Sequence, residues 1–381
     1  MKYVIIRCED NSSGSDQTAA LLDGAKTLHL QHLAQAGAAG TIPAHGNPPG
    51  LDRFDLHRAL FGLGPHDPEA AAGRCYAASI NRTLAEGETA WCCELVTHRD
   101  GRIVDPTAGG IPTKESEVLI HALDEELGSE TRQWEVGRGP HHVLVVRDPA
   151  LGADGHAAVR SAEALTGQAW SKQLPKGAAG DALRSVIEQA STLLERHPVN
   201  RVRVDLGENP ANMLWLWGAA AAGPQRTFAE RSRLSGAVVS SSFLLRGFAR
   251  TLGLGWKEGP ASFEGTPLQR LLKTVLALSE EHDLVYVHLR VDSADPVERL
   301  CAMERLDQIL LKSLTEALPT RGPWRLLTVI DDRTNGSTPL VAIGTGLPQH
   351  PVAALTAQSF SESPLTLPDS VGLFSWFTKP V

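Results

Sequence analysis

The sequence predicts an α/β fold on a mainly parallel sheet, with an α+β module of about 100 residues inserted into it. Three observations carry this. Short apolar, β-branched runs recur along the chain, and amphipathic helical stripes separate them. Between about residues 70 and 165 this alternation gives way to paired strands joined by a tight turn.

Tyr3 to Arg7 is the first run, a buried parallel strand by its composition. Doubly wound sheets bind ligands beyond the carboxyl ends of their strands, so Cys8, Glu9 and Asp10 stand where chemistry is expected. In the inserted stretch, WCCELVTHRDGRIV reads as two strands with a turn at His98 to Gly101. Thr113 to Leu127 reads as an amphipathic helix and HHVLVVRD as a third strand, with His141 and His142 on alternate faces. Asp148 to Gly180, rich in Gly and Ala, is the expected return linker. Asp181 then caps a helix whose Leu183, Val186, Ile187, Ala190, Leu193 and Leu194 share one stripe until Pro198. Further buried strands are expected at Asn212 to Trp217, Gly236 to Ser240, Leu284 to Val291, Arg325 to Ile330 and Leu340 to Ile343. Asp295 and Pro296, an N-cap followed by a first-turn proline, open a helix that runs to Pro319.

Composition narrows the function. The 381 residues are 42% apolar and 21% charged, which describes a folding chain too long for one small module. A net charge of −8 without any basic run argues against a nucleic-acid partner. The longest weakly polar stretch, MLWLWGAAAAG, is about half a bilayer span, and MKYVIIRCED has no signal-like apolar region, so a cytoplasmic protein is expected. Five cysteines without CxxC spacing are expected to be small buried hydrophobes.

Seven segments, in order, carry a family likeness: MKYVIIRCED, LFGLGP, GRCYAA, LVTHRDGRIVDPTAGGIPTKESEVLIHALDEELGS, HPVNRVRVDLGENPANMLWLWG, FAERSRLSGAVVSSSFLLRGFARTLGL and LVYVHLRVDSADPVERLCAMERLD. Together they resemble the archaeal-type cofactor-independent phosphoglycerate mutases of the alkaline phosphatase superfamily. The resemblance implies an alkaline-phosphatase-like three-layer core, formed by residues 1–68 and 170–381, with an inserted α+β cap at 69–169. It also implies transfer of a phosphoryl group between the hydroxyls of glycerate through a phosphorylated Ser or Thr, at two divalent cations such as Mn or Mg.

Against that pattern the chemical positions differ. Glu9 and Asp10 stand where the resemblance implies a metal-binding Asp followed by Gly. Leu51 takes the nucleophile position, and residues 46–62 hold no Ser, Thr or Cys; Asp52 or Asp55 would have to form an acyl phosphate instead. Ser293 or Asp292 falls at a third metal position with no His after it. Asp332 and Arg333 replace an Asp-His pair, and after His288 only His350 remains where about three imidazoles are implied.

The sequence is therefore expected to keep the scaffold and lose metal-dependent phosphoryl transfer, with no resident cofactor and a phosphorylated or carboxylated small molecule as its partner. Arg74, Arg102, Arg333, Asn209 and Asn212 are the expected anion contacts. Ser240, Ser241 and Ser242 follow a buried strand, but no His is near them in sequence, and helix capping is their expected role. The alternative is an active mutase or phosphatase with an oxygen-only metal site drawn from Glu9, Asp10, Asp292, Asp295, Asp331 and Asp332, suited to Mg²⁺.

Overall fold

In a computed structural model the chain forms two compact units, one of Met1–Pro65, Thr227–Ser241 and Gly253–Val381, the other of His66–Arg226 and Ser242–Leu252. Described are residues 1–10, 24–42, 53–65, 67–154, 159–260, 262–291, 293, 295–331, 338–365, 367 and 372–380.

The first unit is built on seven strands, numbered along the whole chain: β1 (Lys2–Asp10), β2 (Ala38–Ile42), β8 (Gly236–Ser240), β9 (Gly255–Glu258), β10 (Leu284–Val291), β11 (Trp324–Asp331) and β12 (Thr338–Gly344). Their order is β2-β12-β11-β1-β10-β8-β9, and every pairing from β11 to β9 is parallel. The first run of the chain is thus the middle strand of the sheet. Its alternation sorts its side chains. Val4, Ile6 and Cys8 join Val239, Val285, Val287 and Leu289 in an apolar core with Leu268, Leu271 and Val275 of the helix Gly265–Glu281. Burying each such aliphatic side chain contributes about 1.5–3 kcal/mol. Tyr3, Ile5, Arg7 and Glu9 point to the other face. There Tyr3 meets Phe377 of the helix Gly372–Thr378 edge-on at 5.7 Å, and Phe61 meets Tyr286 of β10 at 5.4 Å. Helices on both faces make the three layers that the sequence predicts.

Asp295 caps its helix as expected, accepting from the Val297 N–H at 2.9 Å. The helix Pro296–Arg305 then widens into a π-helical turn at Leu306–Leu311 before Lys312–Ala317. On this turn the buried Asp307 accepts from the N–H groups of His29 and Leu30 at 3.0 and 2.6 Å. It caps the helix Leu28–Ala36, whose own N-cap residue Thr27 makes no side-chain cap bond.

The second unit holds an antiparallel sheet of β3 (Thr89–Arg99), β4 (Arg102–Asp105), β5 (Arg132–Arg138), β6 (His141–Val146) and β7 (Met213–Ala221). The hairpin β3–β4, the helix Thr113–Leu127 and β6 lie where the sequence places them. Three features differ from expectation. β5 adds a strand in RQWEVGR, whose mixed polarity gives no clean alternation. The strand expected at Asn212 to Trp217 in the core is β7 and pairs with β3, so residues 170–226 and 242–252 belong to the inserted unit instead of the core. Its Trp215 is wholly buried, with the indole donating to the Arg160 carbonyl at 2.8 Å. Asp181 is not an N-cap: Gly177, with φ of 81°, starts the helix Ala178–Arg196 earlier, and Asp181 lies in its first turn.

Cys8, Cys75, Cys92, Cys93 and Cys301 form no disulfide, and the first four are buried. Among the described residues, no helix is long and apolar enough to cross a membrane. His141 and His142 do face opposite ways: His141 meets Tyr76 edge-on, while His142 is wholly buried and its Nδ1 accepts from the Gly137 N–H at 3.0 Å. Burial, then the charge of His141, pushes the His142 imidazole down to about 3. Unfolded chains take up that proton near the ordinary value of 6.5, so stability present above it is lost as pH falls toward about 3. Denaturant midpoints measured between about pH 7 and about pH 4 should fall, and His142→Gln should flatten the slope. Equal slopes for both proteins would assign the acid sensitivity elsewhere.

Candidate metal centre

The polar face of β1 builds the site. Arg7 lies beside His288 in the parallel ladder and Glu9 beside Arg290, so the carboxyl ends of β1 and β10 bring an arginine, a carboxylate and an imidazole onto one face. Arg7 is wholly buried, and Glu9 and His288 are 3% exposed. Charged groups at that depth survive only when paired. The Glu9 carboxylate pairs with the Arg7 guanidinium at 3.6 Å and with His288 Nε2 at 2.8 Å.

His57 completes the group. It comes from the helix Arg53–Ala59, which is fixed by the buried ion pair of Arg58 with Asp55 at 2.6 Å and by Arg58 lying over Phe54 at 4.0 Å. The rings of His57 and His288 meet edge-on, with centroids 4.9 Å apart. One ligand atom from each of Glu9, His57 and His288 lies within 4.8 Å of the others, and all three residues are buried. Behind them stand two hydroxyls. His57 Nδ1 is 2.6 Å from Tyr286 Oη, and His288 Nδ1 is 2.9 Å from Ser240 Oγ. Metal-binding histidines are commonly oriented by a hydrogen bond at the ring nitrogen that does not bind the ion. Burial pushes the His288 imidazole below its ordinary range; Glu9 opposes this, while Arg7 and Arg290 add to it. His288 is therefore neutral at neutral pH, the form that can ligate. Two imidazoles and a carboxylate match the protein ligands of an open catalytic zinc site and suit transition metals better than Mg²⁺.

Comparison with known proteins places the chain in a family. A 2,3-bisphosphoglycerate-independent phosphoglycerate mutase from Methanosarcina barkeri is 31% identical over 325 residues, covering 82% of this chain and 80% of that one. The chain belongs to the 2,3-bisphosphoglycerate-independent phosphoglycerate mutase family. The profile of that name matches residues 34–200. The cofactor-independent phosphoglycerate mutase of Thermoplasma acidophilum shares the fold at a TM-score of 0.58 and 23% identity, with 99% of each chain covered. A Pyrococcus horikoshii protein does so at 0.65 and 19%, covering 95% of this chain and 92% of its own.

Within this phosphoglycerate mutase fold, several expectations need correction. The absence of a cofactor does not stand, because Glu9, His57 and His288 form a buried group able to hold a cation. Among the described residues the group able to hold a cation is not oxygen-only, since it joins Glu9 to two imidazoles. Asp295 is spent on capping, and Ser293 donates to Glu298 at 2.5 Å in the turn before that helix. The side chains of Asp10 and Asp331, and residues Leu51, Asp52, Asp292, Asp332 and Arg333, lie outside what is described. In the second unit, Arg74 donates to the Ala221 and Pro224 carbonyls, Arg102 to the Gly167 carbonyl, and Asn209 to Asp105. Asn212 bonds both backbone groups of His98. These bonds order loops, and among the described residues Glu9 is the expected site residue that joins the group able to hold a metal.

Motif position alone does not single out His57 and His288: the scarcity of imidazoles begins after position 288, and residues 46–62 stand out by their lack of Ser, Thr and Cys. The legible signal was LVYVHLRV, where Tyr286 and His288 alternate with apolar residues on a buried strand. Ser240 has a histidine after all. It lies 48 positions away in the chain but on the adjacent strand, while capping of the helix Phe243–Thr251 falls to Ser242, which accepts from the Leu245 N–H.

Removing the carboxylate leaves Arg7 buried without this counter-charge, so Glu9→Ala should lower stability by about 3–5 kcal/mol. Glu9→Gln should cost less, because its amide oxygen still accepts from His288. Denaturant unfolding of the two variants checks this; an alanine variant as stable as the parent would show that the pair does not hold the site together.

Proposed function

We propose that this protein is a divalent-cation-dependent phosphoryl-transfer enzyme acting on phosphoglycerate, with Glu9, His57 and His288 holding the ion. The observation that carries the reading is the buried two-His, one-carboxylate group at the carboxyl ends of the central strands, each imidazole set by a hydroxyl at Nδ1. A divalent cation bound there supplies Lewis-acid charge to a phosphoryl oxygen. Arg7 holds the Glu9 carboxylate in place. Arg290, partly buried and beside Glu9 in the ladder, presents a permanent positive charge suited to a phosphate or carboxylate. The names of the relatives supply the substrate: they are phosphoglycerate mutases.

The expected loss of phosphoryl transfer rests on missing imidazoles and on a missing nucleophile hydroxyl, and His57 and His288 answer only the first of these. The absence of Ser, Thr and Cys from residues 46–62 favours a second reading, transfer of the phosphoryl group to water, which makes the enzyme a phosphatase.

The test is to incubate chelator-treated protein, reloaded with Zn²⁺ or Mn²⁺, with 3-phosphoglycerate and to follow both 2-phosphoglycerate and inorganic phosphate. Metal-dependent formation of 2-phosphoglycerate supports the mutase, and phosphate release alone supports the second reading. His57→Ala should reduce either to background. No product from metal-loaded protein, or turnover indifferent to both chelator and His57→Ala, would contradict the proposal.

A further inference from the structure

The two hydroxyls behind the histidines do more than fill space. A neutral imidazole carries one N–H and one lone pair, a carboxylate only accepts, and a hydroxyl can do either. Glu9, paired with Arg7, accepts at 2.8 Å from His288 Nε2, so without a cation the His288 proton sits on Nε2. Nδ1 then offers a lone pair, and Ser240 donates to it across 2.9 Å. Ligation by Nε2 requires the opposite arrangement, with the lone pair on Nε2 and the proton on Nδ1. By rotating about its C–O bond, the Ser240 hydroxyl can accept a hydrogen bond from that N–H. Tyr286 Oη stands in the same relation to His57 Nδ1, at 2.6 Å. Ser240 and Tyr286 are both wholly buried, so no solvent replaces them.

We infer that Ser240 and Tyr286 are positioning residues that let His288 and His57 present Nε2 to a cation, Ser240 by reversing its hydrogen bond when His288 changes tautomer. This rests on the cation reading of the Glu9, His57 and His288 group. It also gives two of the three consecutive serines distinct roles: Ser240 serves the site, and Ser242 caps a helix.

The test uses full-length protein with ¹⁵N-labelled histidine and zinc as the probe. In chelator-treated protein the His288 resonances should report N–H at Nε2, and after one equivalent of Zn²⁺ they should report N–H at Nδ1. Competition with a chromophoric chelator should show zinc affinity lowered about 10–100-fold in Ser240→Ala and in Tyr286→Phe, with Ser240→Thr restoring most of the loss. Because Tyr286→Phe deletes one oxygen and keeps the ring, it carries the test if Ser240→Ala fails to fold. Zinc bound by the parent protein with unchanged affinity in the folded variants, or without a tautomer change at His288, would overturn this inference alone. A parent protein that binds no zinc would overturn the cation reading together with it.

Discussion

A carboxylate buried between an arginine and a histidine is the constraint on which the site depends. Glu9 is 3% exposed and Arg7 is wholly buried, and at that depth each charge is stabilised by an opposite one beside it. Both stand on the middle strand of the sheet, two residues apart on one face, and the register of β1 with β10 delivers His288 beside them. A slip of one residue would turn Arg7 and Glu9 into the apolar layer and Cys8 out of it. Burial of the pair therefore disfavours that slip, and the register that remains brings His288 to the site.

The same strand shows why fold and site were unequally legible. The strands and helices of the core announce themselves by local pattern: Tyr3 to Arg7, Leu284 to Val291 and the Asp295-Pro296 helix start all fall where periodicity and capping chemistry put them. The inserted hairpin and the helix Thr113–Leu127 were equally plain. β5 was not, because RQWEVGR mixes polar and apolar residues on both faces, and the origin of β7 in the second unit depends on a pairing with β3 that no local signal encodes.

Little of the site was legible, for a geometric reason. Glu9 was identified from its place at the end of the first strand, but its partners come from residues 57, 240, 286 and 288, brought to it by a parallel ladder and a helix. Parallel ladders join residues far apart in sequence, so a search for nearby histidines overlooks those on a neighbouring strand. Comparison of motif positions also pointed away from it, since the residues that differ from the family pattern drew attention to what is missing and not to the imidazoles that the fold supplies.

The central claim is that these side chains hold a divalent cation at the carboxyl end of the central strands. Anomalous diffraction from crystals grown with Mn²⁺ or Zn²⁺, recorded on both sides of the metal's absorption edge, tests it most directly. A single strong anomalous peak bounded by the Glu9 carboxylate and the imidazoles of His57 and His288 is the predicted result. Full metal occupancy elsewhere with no ion between these three side chains, or no anomalous peak at all, would contradict it.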